Sequence, residues 1–480
     1  MNTNVLYYGD NLDILRKYID DESVDLIYID PPFNSNQAYN IIFSEPNGTS
    51  SQAQIRAFDD TWHWTEQTEQ TYSEIIDTAP PKIVEGIKSF RSFLGEMDMM
   101  AYLTMMTPRL IELHRVLKPT GSFYLHCDST ASHYLKVVLD QMFGIKNFRN
   151  EIVWCYSGGG IPKKDFPRKH DIIFRYTKTD DYTYNAQYRP YTEGTLQRGR
   201  TQVKGKYSQL NPLGTPVTDW WNDIKKITSP TDPEKLGYPT QKSEALLERI
   251  IKAGSSEGEI VLDAFTGCGT TIAVAQHLKR HWIGIDITHL AIAVIKHRLG
   301  DDVKYTVIGE PVDVASARAL AQQDRYQFQW WVLSLIKARP VQEQKKGADE
   351  GVDGVIYFQD ADPDKPKKKI TQKIVVQVKN GKVSVRDIRE LKTVVANQKA
   401  IIGVFITLEN PTEPMVTEAV RAGYYERWGQ KYPKIQIRTV EELLQSPKIE
   451  YPQTLTNMSF KKTEQVETTQ RFQMEIEGLD

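Results

Sequence analysis

Apolar and polar positions follow two regimes along the chain. The short runs VDLIYI (24–29), SFYLHCD (122–128), EIVLDAF (259–265) and HWIGIDI (281–287) are dense in β-branched and aromatic residues, as strands covered on both faces of a parallel sheet must be. Between them apolar residues recur at helical spacing. Met97–Leu117 carries Tyr102, Met105, Met106, Leu110, Leu113 and Leu117 and is closed by Lys118-Pro119-Thr120-Gly121; His133–Phe143, Ser243–Ala253 and Thr271–Leu278 repeat the pattern. Strand and helix thus alternate, which predicts an α/β fold with a Rossmann-like, doubly wound sheet. Residues 34–95 are polar and turn-rich, with an aromatic island at Phe58, Trp62 and Trp64, and read as a long excursion from the core. Residues 156–236 are rich in Gly, Pro, Thr and charge without periodicity and read as an inserted, irregular module. A boundary falls at 310–325. After it a helix (Phe328–Ile336) and strands at Gly354–Phe358, Ile374–Val378 and Ile401–Thr407 predict a second, smaller α/β unit, followed by a tail that turns polar from Lys461.

Composition narrows the class. A chain of 480 residues exceeds one ordinary core, and 40% hydrophobic with 25% charged residues is globular rather than disordered. No stretch approaches the ~18 consecutive apolar residues of a membrane span. Cys127, Cys155 and Cys268 lie far apart without a CxxC pair, so neither a disulfide framework nor a zinc knuckle is expected, and a reducing cytoplasm fits. The formal charge of −2 gives no global reason for a polyanionic partner, but local charge does. From Lys163 to Lys206 eleven Lys/Arg face five Asp/Glu, interleaved with Tyr176, Tyr182, Tyr184, Tyr188 and Tyr191. Cations mixed with aromatics suit phosphate contact and base stacking. A second basic stretch runs from Lys365 to Lys399.

Two motifs carry the chemistry. EIVLDAF runs into Thr266-Gly267-Cys268-Gly269-Thr270-Thr271 and a helix, placing small residues where a loop passes close to a ligand, and Asp286 ends the next strand. A carboxylate about 20 residues beyond a glycine loop is placed for the ribose hydroxyls of an adenosine-containing ligand. The other motif is Asp30-Pro31-Pro32-Phe33. An exocyclic nucleobase amine is a poor nucleophile because its lone pair is delocalised into the ring. Asp30 and the Pro31 carbonyl offer the two acceptors that favour a tetrahedral nitrogen, two prolines fix the backbone, and Phe33 offers a face for an extruded base.

DPPF and DAFTGCGTT, with YPTQK at 238–242, resemble the amino-methylating DNA methyltransferases that use S-adenosylmethionine. The catalytic motif precedes the cofactor motif, as in the permuted β class of that family. The resemblance covers most of residues 3–310, including GDNLDIL, LKPTGSFYLHCD, HYLKVVLDQMFG and DWWNDI. It implies a methyltransferase domain over 1–312 in which Asp263, Phe265, Gly267, Gly269 and Thr270 line the cofactor. It also implies that Asp286 takes the ribose, that Thr240, Gln241 and Lys242 approach the methionine end, and that residues 156–236 recognise the target. Ser243 stands where the family commonly has proline, which would loosen that turn. An aspartate heading DPPF favours adenine N6 over cytosine N4.

In the second unit Asp353 precedes a strand, and Gln377 and Lys379 share one face of another. A carboxylate, a second oxygen ligand and a lysine so spaced suit a divalent ion and a phosphodiester. Together with ITLENPTEPMVTEAV (406–420), this resembles the Mrr-like restriction endonucleases of the PD-(D/E)xK group over 325–445, leaving 446–480 as a tail. The likeness implies that Asp353 and Gln377 bind Mg2+ and that Lys379 stabilises developing charge. The combined expectation is a restriction-modification protein acting on double-stranded DNA, with no membrane partner. The alternatives are a C-terminal unit that only binds DNA, cytosine-N4 specificity, and methylation of RNA or of a protein glutamine. His126 beside Cys127 and Asp128 resembles a zinc or triad fragment but sits at the end of a core strand, where packing is the simpler role. No GK[ST] sequence occurs, so translocation needs a partner; a homodimer and an additional restriction or translocase subunit are the assemblies left open.

Overall fold

The computed structural model describes the chain apart from residues 1–2, 33–36, 45–49, 61, 159–161, 204–205, 228, 230–231, 237, 239, 342–350, 362–368, 428 and 453–480. For 37–44, 50–60, 201–203, 206–208, 361 and 369 it describes the backbone alone. Phe33, the Phe58 side chain, the start of the basic stretch at Lys365 and the tail from Lys461 therefore fall outside the described residues.

A nine-stranded sheet organises the first unit. Its spatial order is Trp220–Trp221, Phe148–Cys155, His170–Thr177, Leu117–Cys127, Val24–Ile29, Ile260–Asp263, His281–Asp286, Val5–Tyr8 and Thr306–Ile308. All neighbours pair in parallel except His170–Thr177, which runs antiparallel to both of its partners. Val24–Ile29 is buried at every position, as its unbroken apolar run predicts. Its two neighbours are Leu117–Cys127 and Ile260–Asp263. Both chemical motifs thus leave the carboxyl ends of adjacent strands, although positions 30 and 263 are far apart in sequence.

The excursion expected at 34–95 holds two helices, Glu66–Thr78 and Pro81–Leu94. The second buries Ile83, Ile87 and Phe90 against the sheet's core, and Trp62 packs at its edge. Residues 156–236 are likewise not wholly irregular, because His170–Thr177 is a strand of the central sheet. Tyr176 inside it is fully buried and donates to Asp140, and the Arg175 guanidinium lies among Tyr124, Tyr182 and Tyr184. Part of the basic and aromatic pattern is therefore packing rather than a stacking surface. The strand Val5–Tyr8 and the helix Asn11–Tyr18, capped by Asp10, complete the unit.

The second unit is a five-stranded sheet ordered Arg339–Pro340, Gly354–Ala361, Lys369–Lys379, Ile402–Thr407, Ile435–Thr439. It has its own core around Phe328, Trp331, Phe358 and Val404. The boundary at 310–325 is mostly helix: Val314–Gln323, opened by an Asp313 capping box, buries Ala317 and Leu320 in that core. Ile449 also belongs to it, so the ordered unit continues past 445. The units meet along the helix Arg325–Leu335. Its Gln327 side chain accepts from the His289 N–H at 2.9 Å, and its Trp330 packs with Tyr238, Cys268, Leu290 and Val294. Among the described residues no helix is long and apolar enough to cross a membrane, and the three cysteines are free thiols.

Candidate functional site

The carboxyl edge of the central sheet opens into a cavity of about 870 Å3. Asp30, Pro31, Pro32, Thr240, Gln241, Lys242, Asp263, Phe265, Gly267, Thr270 and Asp286 all line it, so residues scattered over the sequence converge on one space. Gly269 is the exception. It adopts φ +75°, and a Cβ there would stand 2.7 Å from Ile295 Cγ1, so backbone conformation and helix packing already require a glycine. Gly267, at φ +52°, faces the cavity and donates its N–H to Asp286 Oδ2 at 2.9 Å.

The acids differ in how they are held. Asp286 accepts further from the Thr288 N–H and hydroxyl, each at 2.9 Å, which only partly offsets the burial that raises its carboxyl. Asp263 accepts from the Phe265 N–H at 3.0 Å. Burial, with the charges of Asp30 and Asp286, pushes it up to about 7. Asp30 is ion-paired through Oδ2 with Lys242, while its Oδ1 is buried and has no hydrogen-bond partner among the described residues. A buried acceptor without a donor, on a residue that lines a cavity, is left for an incoming N–H to satisfy.

Behind Asp30 lies a buried chain. Tyr28, on the same strand face, bonds to His126 Nδ1 at 2.9 Å, and His126 Nε2 lies 3.2 Å from Asp171. Burial opposes ionisation of Asp171. The His126 hydrogen bond and the charges of His126, Lys242 and Lys226 outweigh it and hold the carboxyl below its usual range. A carboxylate only accepts, so Nε2 donates to Asp171, and Nδ1 shares its hydrogen bond with the Tyr28 hydroxyl. His126 therefore braces the sheet and is no metal ligand here. Gln241 also braces: its amide oxygen accepts from the Leu236 N–H at 2.9 Å and its nitrogen donates to the Glu234 carbonyl at 2.6 Å. Ser243 has φ −70°, the value a proline imposes, so its turn is not loosened.

The cavity's charge selects its ligand. Asp10, Asp13, Asp30, Glu74, Asp263 and Asp286 face it, against Lys242 and Arg109. Such a wall suits a cationic ligand of nucleoside size, and S-adenosylmethionine, with a sulfonium and an ammonium, fits it.

In the second unit Asp353 and Gln377 are brought together. The register Gly354↔Val376 sets Asp353 opposite Gln377, and Lys379 follows on the same face. Asp353 accepts from the Val378 N–H at 2.6 Å and from Gln329 Nε2 at 3.0 Å; the Gln377 amide donates to the Gly351 carbonyl. Lys379 Nζ lies 3.9 Å from Asp387. Gln329 is missing from the sequence reading, since a polar residue on a helix gives no signal until the helix is docked. Among the described residues no three His, Cys, Asp or Glu side chains gather as a metal-holding group. One carboxylate and adjacent amide oxygens match only the sparse protein ligation of Mg2+, which keeps waters and takes phosphate oxygens.

A parallel sheet with one reversed strand, an acidic nucleoside-sized cavity and an unpartnered carboxylate oxygen on a residue lining it fit an enzyme of the nucleotide-cofactor class. The family model described as DNA methylase, covering N6 and N4 amino-methyltransferases, matches residues 24–297, and the one described as restriction endonuclease matches 320–446. The chain belongs to the N6/N4 DNA methylase family and carries an Mrr-like endonuclease domain. Over 235 residues it is 32% identical to the type II methyltransferase M.HpaI of Haemophilus parainfluenzae, covering 49% of this chain and 70% of that protein. It is 29% identical over 299 residues to the DNA adenine methyltransferase YhdJ of Escherichia coli (strain K12), covering 61% and 82%. The solved PvuII DNA methyltransferase (cytosine-N4-specific) aligns with TM-score 0.39 at 16% identity, over 63% of this chain and 89% of that one.

Proposed function

We propose that this chain methylates the N6 amine of adenine in double-stranded DNA and that its C-terminal unit cleaves DNA with Mg2+, as a restriction-modification protein. The observation that carries the first half is Asp30 Oδ1, buried without a donor in the cavity that Asp263 and Asp286 share. Bound S-adenosylmethionine supplies an electrophilic methyl on sulfur, whose departing bond pair stays with the sulfur. Asp286, fixed by Gly267 and Thr288, takes the ribose hydroxyls, and Asp263 faces the cationic part. Asp30 Oδ1 and the Pro31 carbonyl accept the two amine N–H groups, returning the nitrogen lone pair to the methyl's line of approach. The proton displaced from the amine passes to Asp30 and on to water. Phe166, 97% exposed among Lys163, Lys164, Arg168 and Lys169, lies in the loop before His170–Thr177, at the same sheet edge as Asp30, and supports contact with a duplex. In the second unit Asp353 and Gln377 would hold Mg2+ and Lys379 would meet the developing charge on the phosphate.

The test is unmethylated plasmid with Mg2+, with and without S-adenosylmethionine, scored by gel and by mass spectrometry of nucleosides. N6-methyladenine and cleavage are expected; Asp30→Ala removes the first and Asp353→Ala the second. N4-methylcytosine instead would reverse the base assignment. Methylation without cleavage would make the C-terminal unit a DNA-binding module, and neither product would redirect the reading to RNA or protein.

A further inference from the structure

Thr240, Gln241 and Lys242 are expected to meet the methionine end of the cofactor, but the lysine reaches elsewhere. Lys242 Nζ pairs with Asp30 Oδ2 and also donates to the Thr240 carbonyl at 3.4 Å. Both partners are withdrawn from solvent, the lysine side chain at 9% exposure and the aspartate at 15%. The lysine is anchored from behind. Its own carbonyl accepts from the Thr270 hydroxyl at 3.3 Å. That hydroxyl in turn receives Arg298 Nη1 at 3.2 Å, and the other end of the same guanidinium meets Glu244 at 2.7 Å. Thr240 is held at φ +62°, a conformation a β-branched residue keeps only where its surroundings impose it. The turn is thus built to deliver Lys242 to the catalytic aspartate.

We propose that Lys242 is a positioning residue for Asp30. A lone carboxylate in this cavity rotates about its Cβ–Cγ bond and is repelled by Asp263 and Asp286. The ammonium removes both freedoms: it occupies Oδ2 and compensates its charge. Oδ1 is left without a partner, as the acceptor for the target amine. This rests on the methyltransferase reading above and adds a division of labour within YPTQK: Gln241 braces the turn, and Lys242 aims the acid.

The experiment compares wild type with Lys242→Met, Lys242→Gln and Lys242→Arg, in the full chain. S-adenosylmethionine affinity is measured by calorimetry, and the single-turnover methylation rate on plasmid DNA is measured at saturating cofactor. Misplacing a catalytic group by about 1 Å costs on the order of 100-fold, so Met and Gln should lose about that much rate with cofactor affinity within about threefold. Arg, which keeps the cation, should recover most of the loss. The inference is overturned if Met and Gln bind cofactor at least tenfold more weakly yet turn over normally at saturation, because Lys242 would then serve the methionine end. It is equally overturned if rate and affinity stay at wild-type level, or if Arg is as slow as Met. Gln decides the case if Met does not fold. Wild type that binds cofactor but methylates no DNA would fail the functional reading itself, an outcome separate from variants that match an active wild type.

Discussion

At the scale of single residues, Asp263 makes the cavity a proton-linked site. Its folded value of about 7 lies above its ordinary 3.8, because burial and the charges of Asp30 and Asp286 disfavour the anion. The sign follows. The stability that the protonated form contributes is complete below pH 3.8 and is lost as pH rises through about 7. The ligand-free protein should therefore melt at lower temperature at pH 8 than at pH 6, and Asp263→Asn should flatten that difference. A cationic ligand reverses the preference, so binding expels the proton wherever the carboxyl was neutral. Affinity for S-adenosylmethionine should fall by about tenfold per pH unit below 7 and level off above it. Calorimetry in buffers of different ionisation heats should register proton release at pH 6 and none at pH 8. None of this is visible in DAFTGCGTT as a string, since the shift comes from acids that only the fold assembles.

Among the elements, Gly269 separates what a motif records from why it exists. The family resemblance implies a cofactor glycine, and the structure adds a second reason, a positive φ and a close approach to Ile295. Gly269→Ala should cost about 2 kcal/mol in denaturant unfolding, from the left-handed backbone penalty and the crowded contact together. Its cofactor affinity per folded molecule should stay near wild type. The strands were legible in the sequence because uninterrupted apolar runs have few other uses. Pro81–Leu94 was missed although Ile83, Ile87 and Phe90 recur at i, i+4, i+7, because polar neighbours on both sides masked them. Glu66–Thr78 was missed as well: it buries only Ile75 and draws its definition from the Thr65 cap and the Arg91–Glu69 ion pair. His170–Thr177 was hidden for a different reason. Its interior position depends on reversed pairing with the strands on both sides of it, which no local pattern encodes.

For the whole molecule, the helix Arg325–Leu335 joins the two units through side chains spaced along its length. Gln327 meets the cofactor-side helix, Gln329 meets Asp353, and Trp330 covers Leu290 and Val294 beside the cavity residues Tyr238 and Cys268. A fragment ending at residue 312 uncovers that apolar seat. It should melt several degrees below the first transition of the full chain and bind S-adenosylmethionine more weakly, both measurable by thermal denaturation with and without cofactor. Equal melting and affinity would mean that the contact is incidental.

The arrangement of the central sheet has a consequence for how the chain tolerates division. Asp30 leaves one strand and Asp263 its immediate neighbour, yet the described residues of 190–215 between them contribute no strand to that sheet. A gene broken there yields two polypeptides, one holding Asp30, the other Asp263, Asp286 and Lys242. Neither half should modify DNA, and co-expression should restore modification through strand pairing alone. The protein then becomes a two-input switch, active only in cells that make both halves.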